Sequence, residues 1–201
     1  MQKTDSVPAP LAEVVTSTLT TYTAQCWAWD GMPPFGSLVC ATYSDIKTFG
    51  IVTSIQTGSS DPQRLPFPYQ KTPEELRAEH PQIFEFLRTT FEVAVIGYQE
   101  KNARTATAAI PPYPASIHAF IRPASAEETM HFFASPHFLT VLFGCHGSNP
   151  LLDETVISIL RTVMHKTSMS TNLFEDYYHT LTLLMGNDYR RLKILLQRLE
   201  S

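Results

Sequence analysis

The sequence predicts an α+β protein: a small six-stranded antiparallel β-barrel with an inserted helix, followed by a C-terminal helical bundle. Three observations predict it. Short runs rich in Thr, Val, Ile and aromatic residues, separated by Gly, Pro and Asp turns, fill the first part of the 201-residue chain. A proline-rich segment with a helix-start pattern interrupts those runs. Past Pro123 the apolar period changes from two to about three and a half, as helices require. The barrel is therefore assigned to residues 8–123, with its helical insertion at 73–89, and the helical domain to 124–201.

Segments 11–18, 20–29, 37–43 and 48–57 read as strands, punctuated by Asp30-Gly31, Pro33-Pro34 and Ser44-Asp45. In 48–57, Phe49, Ile51, Thr53 and Ile55 alternate with Thr48, Gly50, Val52, Ser54 and Gln56, the pattern of a half-buried strand. In 20–29, Tyr22, Ala24, Cys26 and Ala28 form a small face suited to a tight barrel interior. That parity turns Gln25, Trp27 and Trp29 outward. After a Pro/Ser/Gly-rich loop at 58–71, Thr72, Pro73 and Glu75 match a capping box with proline at the first helical position. Pro81 cannot continue that helix, so a turn to Glu79 is followed by a restart at His80-Pro81 running to about Arg88. The run "FEVAVIGY", 91–98, is almost wholly apolar, as a strand buried on both faces would be. A mobile polar loop, 99–109, leads to "IPPYPASIHAFIRPAS", 110–125, in which Pro111, Pro112 and Pro114 set up a last strand at 115–122.

Helices follow at about 125–134, 136–143, 150–166, 173–185 and 189–199. Ser125 can cap the first, and the second starts at Ser135-Pro136 and stops at Gly144. Asn149-Pro150 opens the third. Asn172 with Glu175 opens the fourth, which ends at Gly186, and Asp188 opens the fifth. Leu152, Val156, Ile159, Leu160 and Val163 form one apolar stripe, and Leu192, Leu195, Leu196 and Leu199 another.

"FGIVTSI" (49–55), "HPQIFEFL" (80–87), "FEVAVIGY" (91–98) and "PPYPASIHAFI" (111–121), in that order, resemble the HAS-barrel, the β-barrel shared by HerA-type DNA translocases and the ATP synthase α and β subunits. The resemblance spans roughly residues 10–122 and is similar to stand-alone cyanobacterial proteins in which the barrel precedes a short helical tail. It implies an assembly element that forms rings or docks partners. Ala115 stands where the family's Pro-Gly turn places glycine after Pro114. ATP hydrolysis does not carry over, because Gly31 to Gly36 continues into Ser37-Leu38 and lacks the phosphate-gripping lysine of a P-loop.

Composition narrows the function classes. Residues 1–123 carry nine Lys/Arg against eleven Asp/Glu, and residues 124–201 six against eight, so each part is at −2 and neither has the cation surplus of a nucleic-acid binder. Cys26, Cys40 and Cys145 are odd in number and scattered, which predicts no disulfide framework and a reducing, cytoplasmic setting. No window approaches a membrane span or a signal peptide.

Candidate functional residues are few. His131, His137, Cys145 and His146 are of metal-binding types, but no i, i+4 pair sets two on one helical face, so ordinary polar and capping roles are the simpler reading. Cys26 and Cys40, mid-strand, read as small buried hydrophobes. Glu74-Glu75, Glu127-Glu128 and Asp153-Glu154 fall in first helical turns, where the helix dipole accounts for them. Trp27 and Trp29 are outward aromatics, either binding anchors or residues packed beneath a helix. Arg190, Arg191, Lys193 and Arg198 decorate the last helix, as a basic docking face or as a solvated one.

The expected function is therefore a non-enzymatic protein–protein interaction, assembly or adaptor module with no cofactor or metal, whose surface includes Trp27, Trp29, Arg190, Arg191, Lys193 and Arg198. A homo-oligomer is a further expectation. The alternatives are a single-stranded nucleic-acid-binding barrel, or a metalloprotein using His131 to His146.

Overall fold

A computed structural model describes residues 7–61, 63, 66–166, 171–186 and 188–200. Six strands, β1 Ala12–Ser17, β2 Thr21–Cys26, β3 Leu38–Tyr43, β4 Ile46–Ser59, β5 Leu87–Glu100 and β6 Phe120–Pro123, form a closed antiparallel barrel in the order β1-β2-β5-β4-β3-β6. Between β4 and β5 lie helix α1, Pro73–Glu79, and a 3-10 helix, Pro81–Phe86. Five further helices follow: α2 Ala126–Phe133, α3 Phe138–His146, α4 Leu152–Lys166, α5 Thr171–Met185 and α6 Tyr189–Glu200.

Small residues make the barrel narrow. Ala12, Ala24, Ala41, Ala119, Val14, Val39, Val52, Val93 and Val95 fill its interior around Tyr22, Phe91 and Ile121. The inward parity expected of Tyr22, Ala24 and Cys26 holds, but β2 ends at Cys26, and Ala28, expected inside, is exposed.

β4 and β5 are buried on two sides. From Thr48 to Thr53 every β4 residue is buried, because the outward Phe49 and Ile51 lie under the helices while Val52 faces the interior. The half-buried pattern expected for this strand is thus corrected. A bulge between Val52 and Ser54 also reverses parity, so that Ile55 joins the interior rather than the Phe49 face. β5 behaves as expected, with Phe91, Val93 and Val95 inside and Ala94 and Ile96 beneath the helices.

The last strand is shorter than expected, Phe120–Pro123 instead of 115–122. His118 adopts a positive φ of 66°, and the Ala119 amide bonds back to the Ser116 carbonyl at 3.0 Å, so a turn occupies the place of the strand's first half. Ala115 and Ala119 nevertheless plug the interior. In the insertion, the restart after Pro81 is 3-10 rather than α and yields to β5 at Leu87. The capping box of Thr72 and Glu75 forms in both directions, at 3.2 and 2.8 Å. The 99–109 loop is closed by a bridge between Tyr98 and Thr107.

The helical layer packs on its own barrel. An aromatic chain runs from β4 into the helices: Phe49 to Phe132 at 5.1 Å, Phe132 to Phe138 at 5.9 Å, and Phe138 to Tyr177 at 6.2 Å, with the Tyr177 hydroxyl donating to the Phe133 carbonyl. Gly36 seats α4. Its φ of +74° and the 2.2 Å that would separate an added Cβ from Ser158 Oγ require glycine, and Ser158 donates to the Phe35 carbonyl. This glycine serves a turn under a helix. α3 starts at Phe138 without a side-chain cap and runs through Gly144 to His146, so the expected start at Ser135-Pro136 and stop at Gly144 are corrected. Gly144 is exposed, and helical bonds can pass a residue that only lacks a side chain. Asn172, read as a cap, lies within α5, whereas Gly186, at φ +57°, ends that helix as expected.

One ionic cluster fixes the junction. Ser125 and Glu128 form the capping box of α2, and the same Glu128 carboxylate receives both Arg122 guanidinium nitrogens at 2.7 Å and Lys47 Nζ at 2.8 Å. Burial alone would raise the Glu128 carboxyl, but the bonds from Arg122, Lys47 and the Ser125 amide outweigh it and hold the group well below the usual carboxylate range. The carboxylate form is therefore favoured in the folded chain, and the unfolded chain takes up the proton first. Its stabilisation is fully present above the unfolded carboxylate range, about pH 4.3, and is lost progressively as pH falls below it. Glu128→Gln leaves Arg122 and Lys47 uncompensated and is expected to cost about 3 kcal/mol in urea unfolding. The variant is also expected to lose less stability than the parent on acidification, measured as unfolding midpoint against pH.

Candidate interaction face

The barrel wall has two sides. β3, β4 and β5 turn Leu38, Cys40, Phe49, Ile51, Ala94 and Ile96 towards the helices, whereas the outward residues of β1 and β2, and Phe120 of β6, stay exposed or half-buried. β1 is the middle strand of that second side. Its outward Glu13 lies opposite Gln25 on β2 and Phe120 on β6. Trp27 continues the β2 register, its amide bonded to the Leu11 carbonyl at 3.0 Å.

From there the Trp27 ring reaches across β1 to Phe120, edge to face at 90° and 5.3 Å between centroids. Trp27 Nε1 donates to Glu13 Oε1 at 3.1 Å, and His118 Nδ1 lies 3.1 Å from Glu13 Oε2. The left-handed turn that shortens β6 is what brings His118 here. Both rings are about half exposed, Trp27 at 54% and Phe120 at 53%, with Val15 and Ile117 also exposed nearby along the chain. A fixed carboxylate beside two half-exposed aromatic rings on the uncovered side of the barrel has the chemistry of a recognition surface.

The other expected surface residues are dispersed. Trp29 stacks on Phe84 of the 3-10 helix at 5.7 Å, and the Arg77 guanidinium lies 5.8 Å from the Trp29 ring, so Trp29 closes the barrel end beneath the insertion. Of the two readings of Trp29, anchor or residue packed beneath a helix, the structure shows the packed one, under the insertion. Arg191 forks onto Asp153 of α4 at 2.7–3.0 Å, and Arg198 onto Glu154 at 2.7 Å in two bonds, tying α6 to α4. These two side chains fasten helices instead of forming a free basic face. Arg190 and Lys193 are exposed on α6.

The four metal-type residues do not converge. His131 is exposed on α2, 3.7 Å from Glu127; His137 precedes α3; Cys145 is half-buried; His146 is buried against the backbone of Thr20. Among the described residues no group of three or more His, Cys, Asp or Glu is placed to hold a metal ion. His131 and His137 do line one cleft of about 460 Å³, between α2 and the ends of β4 and β5, together with Lys47, Arg104, Glu127 and Phe132, with Lys47 engaged by Glu128.

Sequence reasoning missed Glu13, His118 and Phe120. The alternation of Glu13 with the buried Ala12 and Val14, and of Phe120 with Ala119 and Ile121, carried the signal for two of them. His118 had none, because only the turn sets its direction.

The two strand thiols, Cys26 and Cys40, are buried and poorly placed for nucleophilic chemistry. Burial pushes the Cys40 thiol up, with the Glu128 carboxylate adding to it, to about 12, and burial also raises Cys26. No described helix is long and apolar enough to cross a membrane. No family model and no curated protein sequence matches this chain. A disulfide-exchange reagent is expected to label Cys145 first in the native protein, with Cys26 and Cys40 reacting only on the unfolding timescale, read by mass spectrometry of digested time points.

Proposed function

We propose that the protein is a non-catalytic interaction module of a larger assembly, working in the reducing cytoplasm as a HAS-type barrel that docks a protein partner. The single observation that carries the proposal is the open Trp27–Glu13–Phe120 face, set on a barrel whose other side is already occupied by its own helices. Support for the HAS-type reading comes from the closed six-stranded barrel with a helical insertion before the fifth strand and a helical tail.

A nucleic-acid partner fits this face poorly. The aromatic pair lies beside the Glu13 carboxylate, and Glu92 also points outward from β5 between the inward Phe91 and Val93. Stacked bases would bring phosphates against those carboxylates. Three free cysteines, two of them buried, agree with a reducing compartment.

A photo-crosslinking residue placed at Gln25, beside Glu13, is expected to yield a discrete protein adduct in cells, while the same residue at the exposed Leu183 of α5 yields a different pattern or none. Trp27→Ala is expected to weaken that adduct's partner by roughly 2 kcal/mol, about 30-fold, as truncating an aromatic anchor does. A Gln25 adduct unaffected by Trp27→Ala, or no adduct at all, would remove the proposal. An adduct with a second copy of the chain would identify the partner as itself.

A further inference from the structure

We propose that Glu13, Trp27 and Phe120 together form a receptor for a cationic side chain of the partner, arginine in preference to lysine. The inference rests on the docking reading and names the chemistry of its contact. Glu13 pairs with no described lysine or arginine of this chain. Its two partners are an indole N–H and the His118 imidazole.

Those two partners orient the carboxylate without removing its capacity. Each oxygen accepts one bond and keeps a second lone pair, so two sites remain for an incoming donor. The Glu13 side chain is 33% exposed, open enough to be reached and enclosed enough that an ion pair there is less diluted by water than on a bare surface. The two aromatic rings, in edge-to-face contact with each other, flank the carboxylate and are each about half exposed. A ring face attracts a cation held within about 6 Å of its centroid.

Arginine suits this arrangement better than lysine. Its planar guanidinium can lie flat on one ring and still direct paired N–H groups at a carboxylate, whereas an ammonium is a hydrated point charge. Its aliphatic stem would lie on apolar surface, as the stems of long cationic side chains do. Within this protein, Arg77 already makes the analogous contact, 5.3 Å from the Phe84 ring centroid and paired with Asp30 at 3.3 Å. The Glu13 cluster also sets a carboxylate beside two rings, here edge to face and with the His118 imidazole at the carboxylate.

The chain has two tryptophans, and Trp29→Phe assigns their indole N–H resonances unambiguously. The full-length protein, 15N-labelled, is titrated with N-acetyl-arginine amide, its uncharged isostere N-acetyl-citrulline amide, and N-acetyl-lysine amide. The expected result is a saturable shift of the Trp27 resonance with the arginine probe, a several-fold weaker response to lysine, and no saturable response to citrulline, the Trp29 resonance staying fixed throughout. Glu13→Gln is expected to abolish the arginine response. Phe120→Leu, which keeps the charge, is expected to weaken it several-fold and serves if the first variant does not give a dispersed spectrum.

An equal response to citrulline, an arginine response that survives Glu13→Gln, or no saturable shift at all would each overturn the proposal. If the probes fail while the Gln25 crosslink and its dependence on Trp27 persist, the docking face stands and the cation receptor falls. If both fail, the docking reading itself is lost.

Discussion

β4 and β5 are each 14 residues long, and over their central parts neither strand has a face that tolerates water. Every other feature of the molecule answers that constraint. One face of the pair is covered when the sheet curls until β6 meets β1, and the interior that results admits mostly Ala and Val side chains. The opposite face, with Phe49, Ile51, Ala94 and Ile96, would be an exposed apolar patch on a free barrel. The helices are bound to the barrel because of it. A single cluster runs from these strand residues through Phe132, Phe138, Leu139 and Leu142 to Tyr177 and Leu195. The tail is thus the second half of the core of β4 and β5.

Polar groups then set how the two layers meet. Apolar faces slide, and ion pairs of defined geometry do not. Glu128 caps its own helix and simultaneously grips one residue from β4 and one from β6, which specifies the angle at which α2 leaves the barrel. At the far side of the bundle, the two forked pairs from α6 to α4 do the same for the last helix. Cations that the sequence displays as a basic stripe are in this way divided between fastening and solvent.

Local signals were read correctly where local chemistry decides. The capping box at Thr72, the cap at Ser125 and the stop at Gly186 were legible because neighbours within four residues determine them, and the interior parity of Tyr22 and Ala24 and the two-faced burial of β5 were legible in the residue types themselves. What failed depended on distant groups. Trp29 is covered because Phe84 and Arg77 arrive from an insertion some fifty residues away, and Arg191 and Arg198 pair with carboxylates 38 and 44 residues back. Glu128 looked like a helix-dipole residue, and its Arg122 and Lys47 partners meet it only after the barrel has closed. Bulges were a third blind spot. The one in β4 moves Ile55 to the opposite face, and period-two counting has no means of detecting an extra residue.

The short β6 gives the barrel an uneven circumference. Its junction with β1 is made at Ala12 with Ile121 and Glu13 with Phe120, whereas β4 and β5 are paired along almost their full length. The β1–β6 seam is short, prolonged by single bonds from the Leu11 amide to Ile121 and from the Val14 amide to Ala119, and the Trp27–Phe120 contact lies across it. Those rings are a clasp as well as a surface: whatever occupies them also draws three strands together. By mass action, a ligand that favours the clasped arrangement adds its binding free energy to the closure of the barrel, and a loosened seam subtracts the same amount from binding. Recognition and the integrity of the wall are, at this one place, two readings of a single equilibrium.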